Sequence, residues 1–472
     1  MKAYWLPPGF SGSVAEEITT VTRGGRAVDV AFPLFEPELV TRLATHLRSA
    51  RRALAERPVA AIAEVLDAAS EAWLGPERDP IVPAISVVTG FSEAMVRRAI
   101  DLEMVSSRAP DMLGALDREL GDHRALDGFV PTAMGAARAF GPELIGGVFS
   151  ANIPALPHLT VMRAFLVKAA CLGRVSRGEP LFLAAYARTV ARLDPALGEC
   201  LGVLWWPADD RRNEAAFLGS IDHLVAYGGD RTLDEIATRC PPRLPATWHG
   251  HRMGFALVQR GAPREGLAER LAFDFSLFDQ HACLAPQAVF VEGGWDEAVA
   301  LADSLERALA ALRLELPPRE LQPAEAARLR AAHEGWAVRE CLGERVRLCG
   351  DLQGSVVVDG ALLSPASPGP GDGLIPGALD RSVRVVPVPS FEHLAPLLAP
   401  LRGVLQCCAL ARGPSDPDLR AQLGALGVTR LCPPGLMGTP SMRWAHDGLG
   451  CLARLGRWCD EETVAPGETR EA

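Results

Sequence analysis

The stretch HLVAYGGDRTLDEIATRC, residues 223–240, decides the fold class of this sequence. An apolar run typical of a strand enters two glycines, and a helical pattern follows at once. Similar runs alternate with helical patterns upstream, at LIGGVFSANIP (144–154), HLTVMRAFLVKAA (158–170), CLGRVS (171–176) and LGVLWWP (201–207). Strands that alternate with helices at this interval predict βαβ units and a parallel sheet. Such sheets bind ligands beyond the carboxyl ends of their strands.

The alternation resumes after residue 255, which predicts a second α/β domain that contains a long helix at 295–312. The first 130 residues instead have helical apolar spacing. We therefore predict a mostly helical N-terminal region (1–130), a nucleotide-binding domain (131–255), a catalytic domain (256–440) and a C-terminal segment (441–472). The run at 364–377, rich in Pro and Gly, predicts an exposed loop.

Composition excludes several classes of protein. The 472 residues carry a net charge of −10, and this lack of a basic footprint argues against a nucleic-acid partner. The sequence offers no signal-peptide core and no apolar run long enough to span a membrane. Eleven cysteines without a Cys-x-x-Cys pair predict neither a disulfide framework nor a metal site. We expect a reducing cytoplasm and mostly buried thiols.

One cysteine stands out by its position. In FDQHACLAPQAVFVEG (278–293), Cys283 precedes a run that is typical of a buried strand. A thiol becomes a nucleophile as its thiolate, which needs a nearby cation, a helix N-terminus or a general base. His281 is close in sequence, although that does not establish contact. Because buried cysteines are common, the pattern alone leaves a structural role for Cys283 open.

The stretch FDQHACLAPQAVFVE resembles the nucleophile segment of the acyl-CoA reductase (LuxC-type) family, a branch of the aldehyde dehydrogenase superfamily. Further stretches resemble family motifs in the expected order: the Asn-x-Pro turn SANIPALP (150–157), the Gly-Gly-Asp turn VAYGGDRTLDEI (225–236) and the C-terminal signature LCPPGLMGTPSMRWAHDGLGCLARLGRWCDEE (431–462). The resemblance implies an aldehyde-dehydrogenase-like α/β fold, with a Rossmann-type nucleotide-binding domain and a second α/β catalytic domain.

The same resemblance implies an activity. An acyl-CoA or acyl-protein thioester would be reduced to a fatty aldehyde with NADPH, through a covalent acyl group on Cys283. The implied partners are an acyl-protein synthetase or carrier protein that delivers the acyl group, and further copies of the chain in a homo-oligomer. The implied location is the cytoplasm.

Asn152 matches the side-chain amide that, with the backbone N–H of Cys283, would bind the developing oxyanion. Preorganised donors of this kind are worth about 3–4 kcal/mol each. The alternative is structural, since asparagine also caps turns such as the one before Pro154.

The cofactor residues implied by the resemblance are Arg174, Ser176, Gly228 and Gly229. Arg174 stands where many aldehyde dehydrogenases have a lysine. Its planar guanidinium group suits the 2′-phosphate of NADPH, with Ser176 as a further contact. The two glycines would let the backbone approach the cofactor. A surface arginine and an ordinary tight turn are the structural alternatives.

The segment PATWHGHRMGFALV (245–258) departs from the superfamily. Aldehyde dehydrogenases have here a glutamate that activates water, whereas this sequence has His249 and His251 around a glycine. Loss of that base suits an enzyme that keeps its acyl group until reduction. Either histidine could accept the Cys283 proton or protonate the leaving thiolate, and hydrogen bonding at a strand edge is the alternative.

Two rival functions use the same features. The first is a cysteine-dependent acyltransferase or thioesterase without nicotinamide, because the sequence offers no clear counterpart of the superfamily glutamate that orients the nicotinamide ribose. The second is a catalytically silent scaffold subunit of a biosynthetic complex. We expect no catalytic role for His446, Asp447 or Trp458, which an Asp-Gly turn and a buried tryptophan explain.

Overall fold

The computed structural model describes residues 1–363, 377–413 and 418–463. The loop predicted at 364–377 lies outside the described residues except for Gly377, as does the end of the predicted C-terminal segment. The strands are β1 Ala15–Arg23, β2 Arg26–Leu34, β3 Val130–Thr132, β4 Gly135–Phe140, β5 Leu144–Val148, β6 Ala170–Arg174, β7 Leu201–Leu204, β8 His223–Tyr227, β9 Ala246–His249, β10 Met253–Val258, β11 Pro286–Glu292, β12 Val346–Cys349, β13 Val356–Asp359, β14 Val383–Val388, β15 Leu405–Ala411, β16 Arg430–Cys432 and β17 Arg457–Glu462.

The α-helices are α1 Pro37–Ala50, α2 Arg52–Ala55, α3 Val59–Leu74, α4 Val82–Thr89, α5 Glu93–Val105, α6 Ala109–Leu120, α7 Pro157–Leu166, α8 Phe182–Leu193, α9 Pro195–Gly198, α10 Arg211–Leu218, α11 Asp230–Ala237, α12 Leu267–Ser276, α13 Trp295–Leu312, α14 Pro323–Cys341, α15 Phe391–Leu398 and α16 Leu419–Ala425. None of the described helices is both long enough and apolar enough to cross a lipid bilayer.

Internal contacts divide the described chain into two compact units. Unit 1 contains residues 1–89, 96–250 and 441–463, and unit 2 contains residues 90–95, 251–363, 377–413 and 418–440. The four regions predicted from the sequence, with boundaries at 130, 255 and 440, were assigned by expected function and not by internal contacts. They stay predictions.

Unit 1 is built on the parallel sheet that the sequence predicted. Its described strands lie in the order β7-β6-β5-β8-β9, and every neighbouring pair is parallel. The strands β5, β7 and β8 are buried along their whole length, which explains their nearly continuous apolar sequence. Because all strands run the same way, the residues that follow their carboxyl ends collect at one edge of the sheet.

The sequence did not predict the antiparallel pieces of unit 1. The hairpin of β1 and β2 interrupts the region expected to be helical, and Gly24 and Gly25 turn it with φ of 55° and 72°. A second small sheet has the order β17-β4-β3. Trp458 on β17 was expected to be buried, but it is 40% exposed because it lies on an exposed edge strand.

Unit 2 has a mixed sheet with the described strand order β12-β13-β14-β11-β10-β15-β16, in which only β12 pairs antiparallel. Aliphatic and aromatic side chains from β10, β11, β14, β15 and the helices α15 and α16 form its core. Helix α13 spans the predicted residues, whereas α14 was not predicted.

All eleven cysteines are free thiols in the structure. The expectation that most thiols are buried is wrong. Five are buried, four are half-buried and two are exposed, so burial does not single out Cys283, which is one of the half-buried four.

Candidate active site

Cys283 lies in a turn of unit 2, between a short 3-10 helix, Leu277–Gln280, and the first residue of β11. The N–H of Ala285 donates to the Ala282 carbonyl at 3.0 Å and closes this turn. On the neighbouring strand β10, a Cβ at Gly254 would lie 2.6 Å from the Leu284 carbonyl oxygen. Glycine therefore permits a close approach of β10 to the turn that presents Cys283.

The backbone before this turn has an unusual conformation. Phe278, Asp279 and Gln280 have φ of 53°, 48° and 67°, in the left-handed region that side chains other than glycine rarely adopt. Such a conformation costs on the order of 1 kcal/mol or more per residue and persists where the surroundings impose it. A second left-handed run, residues 379–381, has φ of 64°, 54° and 62°.

Buried charges join the two left-handed runs. Asp279 and Arg381 form an ion pair in which both side chains are 1% exposed. The N–H of Asp380 donates to the Asp279 carbonyl at 3.0 Å, and the N–H of Arg319 donates to the Asp279 carboxylate at 2.9 Å. We call Asp279, Asp380, Arg319 and Arg381 the charged network.

The charged network also engages His281. Its Nε2 lies 2.9 Å from Asp380 Oδ1, and Arg319 Nε donates to the same oxygen at 2.7 Å. Burial by itself raises the pKa of Asp380, but hydrogen bonds from His281 and Arg319 outweigh it and hold the pKa below its ordinary value. Asp380 is therefore a buried carboxylate, and the imidazole nearest to Cys283 in sequence is oriented by it.

In unit 1, Asn152 follows the carboxyl end of β5. The Ser150 hydroxyl donates to Oδ1 of Asn152, which identifies Nδ2 as the donor end of this amide. Ala155, further along the same turn, has a φ of 72°. Its carbonyl oxygen lies 2.9 Å from Nδ1 of His158, at the start of α7.

His158 holds the Asn152 turn as a neutral group. It is fully buried, its Nε2 lies 2.9 Å from the Ser107 hydroxyl, and burial lowers its pKa to about 4. In the neutral ring Nδ1 donates to the Ala155 carbonyl, so Nε2 accepts from the Ser107 hydroxyl, whose proton is shared with the Glu103 carbonyl at 2.7 Å. The turn is thus supported by buried neutral hydrogen bonds.

Arg174 is the last residue of β6 and packs inward. Its guanidinium lies 5.5 Å from the Trp206 ring and donates to the Trp206 carbonyl at 3.2 Å. Its buried Nε has no hydrogen-bond partner among the described residues. Ser176 accepts a hydrogen bond from the Gly178 N–H at 3.2 Å, and Arg177 is the exposed arginine of this segment.

Gly228 and Gly229 follow the carboxyl end of β8. Gly229 is the N-cap of the next helix, and Asp230 is the first residue of α11. A Cβ at Gly229 would meet nothing within 4 Å, and one at Gly228 would make ordinary contact with Leu233. The open space above Gly229 and the orphaned Nε of Arg174 lie at the edge where a parallel sheet binds a dinucleotide, so these residues fit such a cofactor.

The structure separates the two candidate histidines. His249 is the last residue of β9 in unit 1, whereas His251 belongs to unit 2 and is exposed. Nδ1 of His249 lies 2.7 Å from Oδ2 of Asp447, and their side chains are 9% and 6% exposed. No local sequence pattern indicates this pair, because Asp447 lies 198 residues further along the chain.

Aromatic rings stack against the imidazole of His249. The ring of Tyr227, its register partner on β8, stacks at 4.5 Å and 20°, and the ring of His446 stacks at 4.3 Å and 25°. Trp444 packs on His446 at 4.9 Å. We call Tyr227, His249, His446 and Trp444 the ring stack.

The side chains of His249, His446 and Asp447 also meet a distance criterion for metal ligands, since one donor atom of each lies within 4.8 Å of the others. The geometry favours a hydrogen-bonded pair instead. Nδ1 of His249 already contacts Asp447, and the two imidazoles are stacked face to face rather than converging on one point.

Solved structures with the same architecture identify the fold. Aldehyde dehydrogenase C from Pseudomonas syringae, solved with NAD+ and octanal, gives a TM-score of 0.72 over 98% of this chain and 97% of its own, at 13% identity. An NADP dependent enzyme from E. coli gives a TM-score of 0.73 over 94% of both chains, at 10% identity. The chain therefore has an aldehyde-dehydrogenase-like fold, and the fold prediction is confirmed.

Residues 54–458 match the acyl-CoA reductase (LuxC) family, so this chain belongs to that family, as its motifs predicted. The long-chain acyl-protein thioester reductase of Vibrio harveyi is 24% identical over 220 residues, which are 46% of this chain and 46% of the relative. That of Aliivibrio fischeri is 23% identical over 394 residues, or 82% of this chain and 78% of the relative. The first of these matches spans about half the length of its relative.

Proposed function

We propose that this protein reduces an acyl thioester to an aldehyde, using NADPH and a covalent acyl group on Cys283. Family membership supports the reaction class. The observation that carries the assignment is the turn of Cys283, where strained backbone is retained by the charged network, because proteins keep strain of this kind mainly at functional sites.

Acylation uses the Cys283 thiolate as the nucleophile. Its sulfur attacks the thioester carbonyl, the carbon–sulfur bond of the donor breaks, and the donor leaves as a thiolate that takes up one proton. One thioester is exchanged for another, so the step is close to balanced in free energy. Asn152 Nδ2 and the backbone N–H of Cys283 are the proposed donors to the developing oxyanion.

Reduction then releases the product. A reduced nicotinamide, when bound, supplies a hydride to the acyl carbon. The resulting thiohemiacetal on Cys283 collapses to the aldehyde, and the Cys283 thiolate is regenerated. Asn152 would hold the same oxygen in both steps, which is why its loss should slow acylation and reduction alike.

The proposed cofactor residues are those at the carboxyl edge of the unit 1 sheet: Arg174, Ser176, Gly228 and Gly229. NADPH is proposed over NADH because Arg174 and Ser176 offer cationic and hydroxyl groups to a 2′-phosphate. Ser176→Asp should raise the KM for NADPH at least tenfold and leave that for NADH nearly unchanged, as measured by steady-state kinetics. Ser176→Asn is the matched neutral control, and an equal effect of both variants on both cofactors would remove Ser176 from phosphate recognition.

The proposed donors are acyl-CoA and an acyl group carried on a protein, since the curated relatives are named for acyl-protein thioesters. An acyl-protein synthetase or a carrier protein would then be the partner. A homo-oligomer and a cytoplasmic location complete the proposal.

The deciding experiment mixes the purified protein with acyl-CoA, with and without NADPH. We expect an acyl adduct on Cys283 by mass spectrometry without NADPH, and equal amounts of aldehyde and oxidised cofactor with it. Cys283→Ala should abolish both, whereas Cys349→Ala, which removes another half-buried thiol of unit 2, should not.

Two outcomes would replace the proposal. Release of free thiol and carboxylic acid without oxidation of NADPH would establish the thioesterase alternative. Absence of an adduct on Cys283 with a panel of acyl-CoA and acyl-protein donors would establish the scaffold alternative.

A further inference from the structure

Two thiols that the proposed reaction does not use lie side by side in unit 2. Cys407 is on β15, Cys432 is the last residue of β16, and their sulfur atoms are 3.8 Å apart. In the register of these parallel strands, Cys432 is opposite Ala409, two residues after Cys407. Side chains two residues apart on a strand point to the same face of the sheet, so both thiols lie on one face. We call Cys407 and Cys432 the thiol pair.

A guanidinium group lies against the thiol pair. Arg430 Nη1 donates to Cys407 Sγ at 3.5 Å, and the same group donates to the carbonyls of Leu436 and Met437 at 2.6 and 2.7 Å. The hydrogen bond from Cys407 lowers the pKa of Cys432, burial opposes this effect, and the charge of Arg430 adds to it. The same hydrogen bond and burial raise the pKa of Cys407. Cys432 is therefore the first of the two to become a thiolate, which is the form that reacts with oxidants.

Cys432 also lines a cavity of about 510 Å³ at the carboxyl edge of the unit 2 sheet, between Leu410 near the end of β15 and Pro433 after β16. Cys432 is 8% exposed and Cys407 is fully buried, so Cys432 is the thiol that a small molecule in the cavity approaches. Cys283 precedes β11, which runs parallel to β10, as β15 does, and it therefore belongs to the opposite edge of the sheet. The thiol pair is thus separate from the proposed nucleophile.

The surroundings of the thiol pair favour redox chemistry over metal binding. Structural zinc sites use four ligands. Among the described residues, the groups of three or more candidate metal ligands include neither Cys407 nor Cys432. The guanidinium of Arg430 stabilises a thiolate and repels a metal cation.

We propose that the thiol pair is a redox modification site, at which a hydroperoxide oxidises Cys407 and Cys432 to a reversible disulfide; this does not depend on the proposed reaction. The Cys432 thiolate attacks one oxygen of the hydroperoxide, the oxygen–oxygen bond breaks, and an alkoxide leaves and takes up a proton. The Cys407 thiol attacks the sulfur of the resulting sulfenic acid and expels water. Two thiols and one hydroperoxide give one disulfide, one alcohol and one water, so the two electrons lost by the sulfurs reduce the hydroperoxide.

Formation of the bond requires a small local movement. The two sulfur atoms must close from 3.8 Å to the disulfide length of about 2.05 Å. A disulfide whose geometry is strained is more easily reduced. We therefore expect dithiothreitol to restore both thiols, and in a reducing compartment the bond would be transient.

The test treats the purified parent protein with hydrogen peroxide, alkylates the remaining thiols with iodoacetamide in denaturant, and maps the cysteines by tryptic digestion and mass spectrometry. Trypsin cleaves after Arg412 and Arg430, so the two thiols are on separate peptides. We expect these peptides to be joined, with the loss of two hydrogen atoms, in most of the protein under conditions that leave the exposed Cys341 and Cys459 available for alkylation. Dithiothreitol should separate them.

Three variants assign the roles of the sulfurs. Cys407→Ala removes the thiol that closes the bond, so oxidation should stop at a sulfenic acid on Cys432, which dimedone traps. Cys432→Ala should leave Cys407 alkylated. The matched control is Cys408→Ala, because Cys408 is equally buried on β15 but packs in the hydrophobic core on the opposite face of the sheet. It should form the bond as the parent does, which assigns the joined peptide to Cys407.

Three results would overturn the inference. The first is alkylation of both Cys407 and Cys432 under conditions that oxidise the exposed Cys341 and Cys459. The second is a bond from Cys432 to Cys408 instead, and the third is a sulfenic acid that persists on Cys432 of the parent protein. None of these measurements involves acylation or aldehyde formation, so each outcome leaves the proposed function intact, and failure of the proposed function leaves the thiol pair unaffected.

Discussion

The turn of Cys283 and the surroundings of His249 are stabilised by different kinds of contact. Around Cys283, charges buried in unit 2 retain two left-handed runs of backbone. Around His249 in unit 1, aromatic rings stack against the imidazole and the carboxylate of Asp447 contacts its Nδ1. The Asn152 turn follows the second pattern, since the neutral His158 supports it. Charge thus holds strained backbone, whereas rings and neutral hydrogen bonds hold side-chain orientation.

Removing one partner of the buried ion pair should destabilise the left-handed backbone before Cys283. We expect Arg381→Met to reduce the free energy of unfolding by about 3–5 kcal/mol, because it leaves the charge of Asp279 buried and uncompensated. Chemical denaturation measures the loss, and the acylation rate of the folded fraction should fall with it.

The double variant Asp279→Leu, Arg381→Met is the control for that result. Removing both charges should recover a large part of the stability, since a buried apolar pair often replaces an ion pair at little cost. It should not recover acylation, because the left-handed runs then lose their support. A double variant as unstable as the single one would show that geometry, not charge, dominates.

Lowering the pH should test whether a neutral His158 supports the Asn152 turn. The pKa of His158 is about 4 in the folded protein and about 6.5 when unfolded. The unfolded state therefore binds the extra proton, and the free energy of unfolding should fall by up to about 1.4 kcal/mol per pH unit as the pH drops from about 6.5 toward 4.

The comparison must be made against His158→Gln at each pH. Glu103 acts with the opposite sign, because burial raises its pKa to about 7, so the parent curve alone mixes the two. The difference between the variant and the parent should change below pH 6.5 and be constant above it. A difference that is constant from pH 4 to 8 would contradict a neutral, buried His158.

The smallest effect is expected from removing one aromatic ring of the ring stack. Tyr227→Leu should cost about 1 kcal/mol of stability beyond the change in buried area, because it removes one stacked ring from His249. Tyr227→Phe keeps the ring and should remain within about 0.5 kcal/mol of the parent protein. If both variants lower kcat/KM equally, the hydroxyl rather than the stacking matters, and the comparison of the two regions would need revision.

The sequence predicted what depends on local periodicity. The strands before Asn152 and Gly228 and the helix at 295–312 were found because apolar spacing and glycine turns are visible in short windows. The hairpin of β1 and β2 was missed because mostly exposed residues fill β1 and give no apolar alternation. Family resemblance, not periodicity, pointed to Cys283.

The contacts that support the site could not be predicted from the sequence. Nothing in a short window marks Phe278 or Asp380 as left-handed, because glycine or asparagine is the usual signal for that conformation. Asp447 was interpreted as part of an Asp-Gly turn, and its partner His249 lies far away along the chain. Tertiary packing imposes both features, so they become visible only in three dimensions.

The contact between Trp444 and His446 gives the protein an intrinsic fluorescence probe. Because an imidazole lies against an indole here, a change in the position of the His446 ring should be readable as a change in emission without any added dye. Subtracting the spectrum of Trp444→Phe would isolate this signal from the other tryptophans of the chain. The reporter would follow structural changes beside His249 while substrate is turned over.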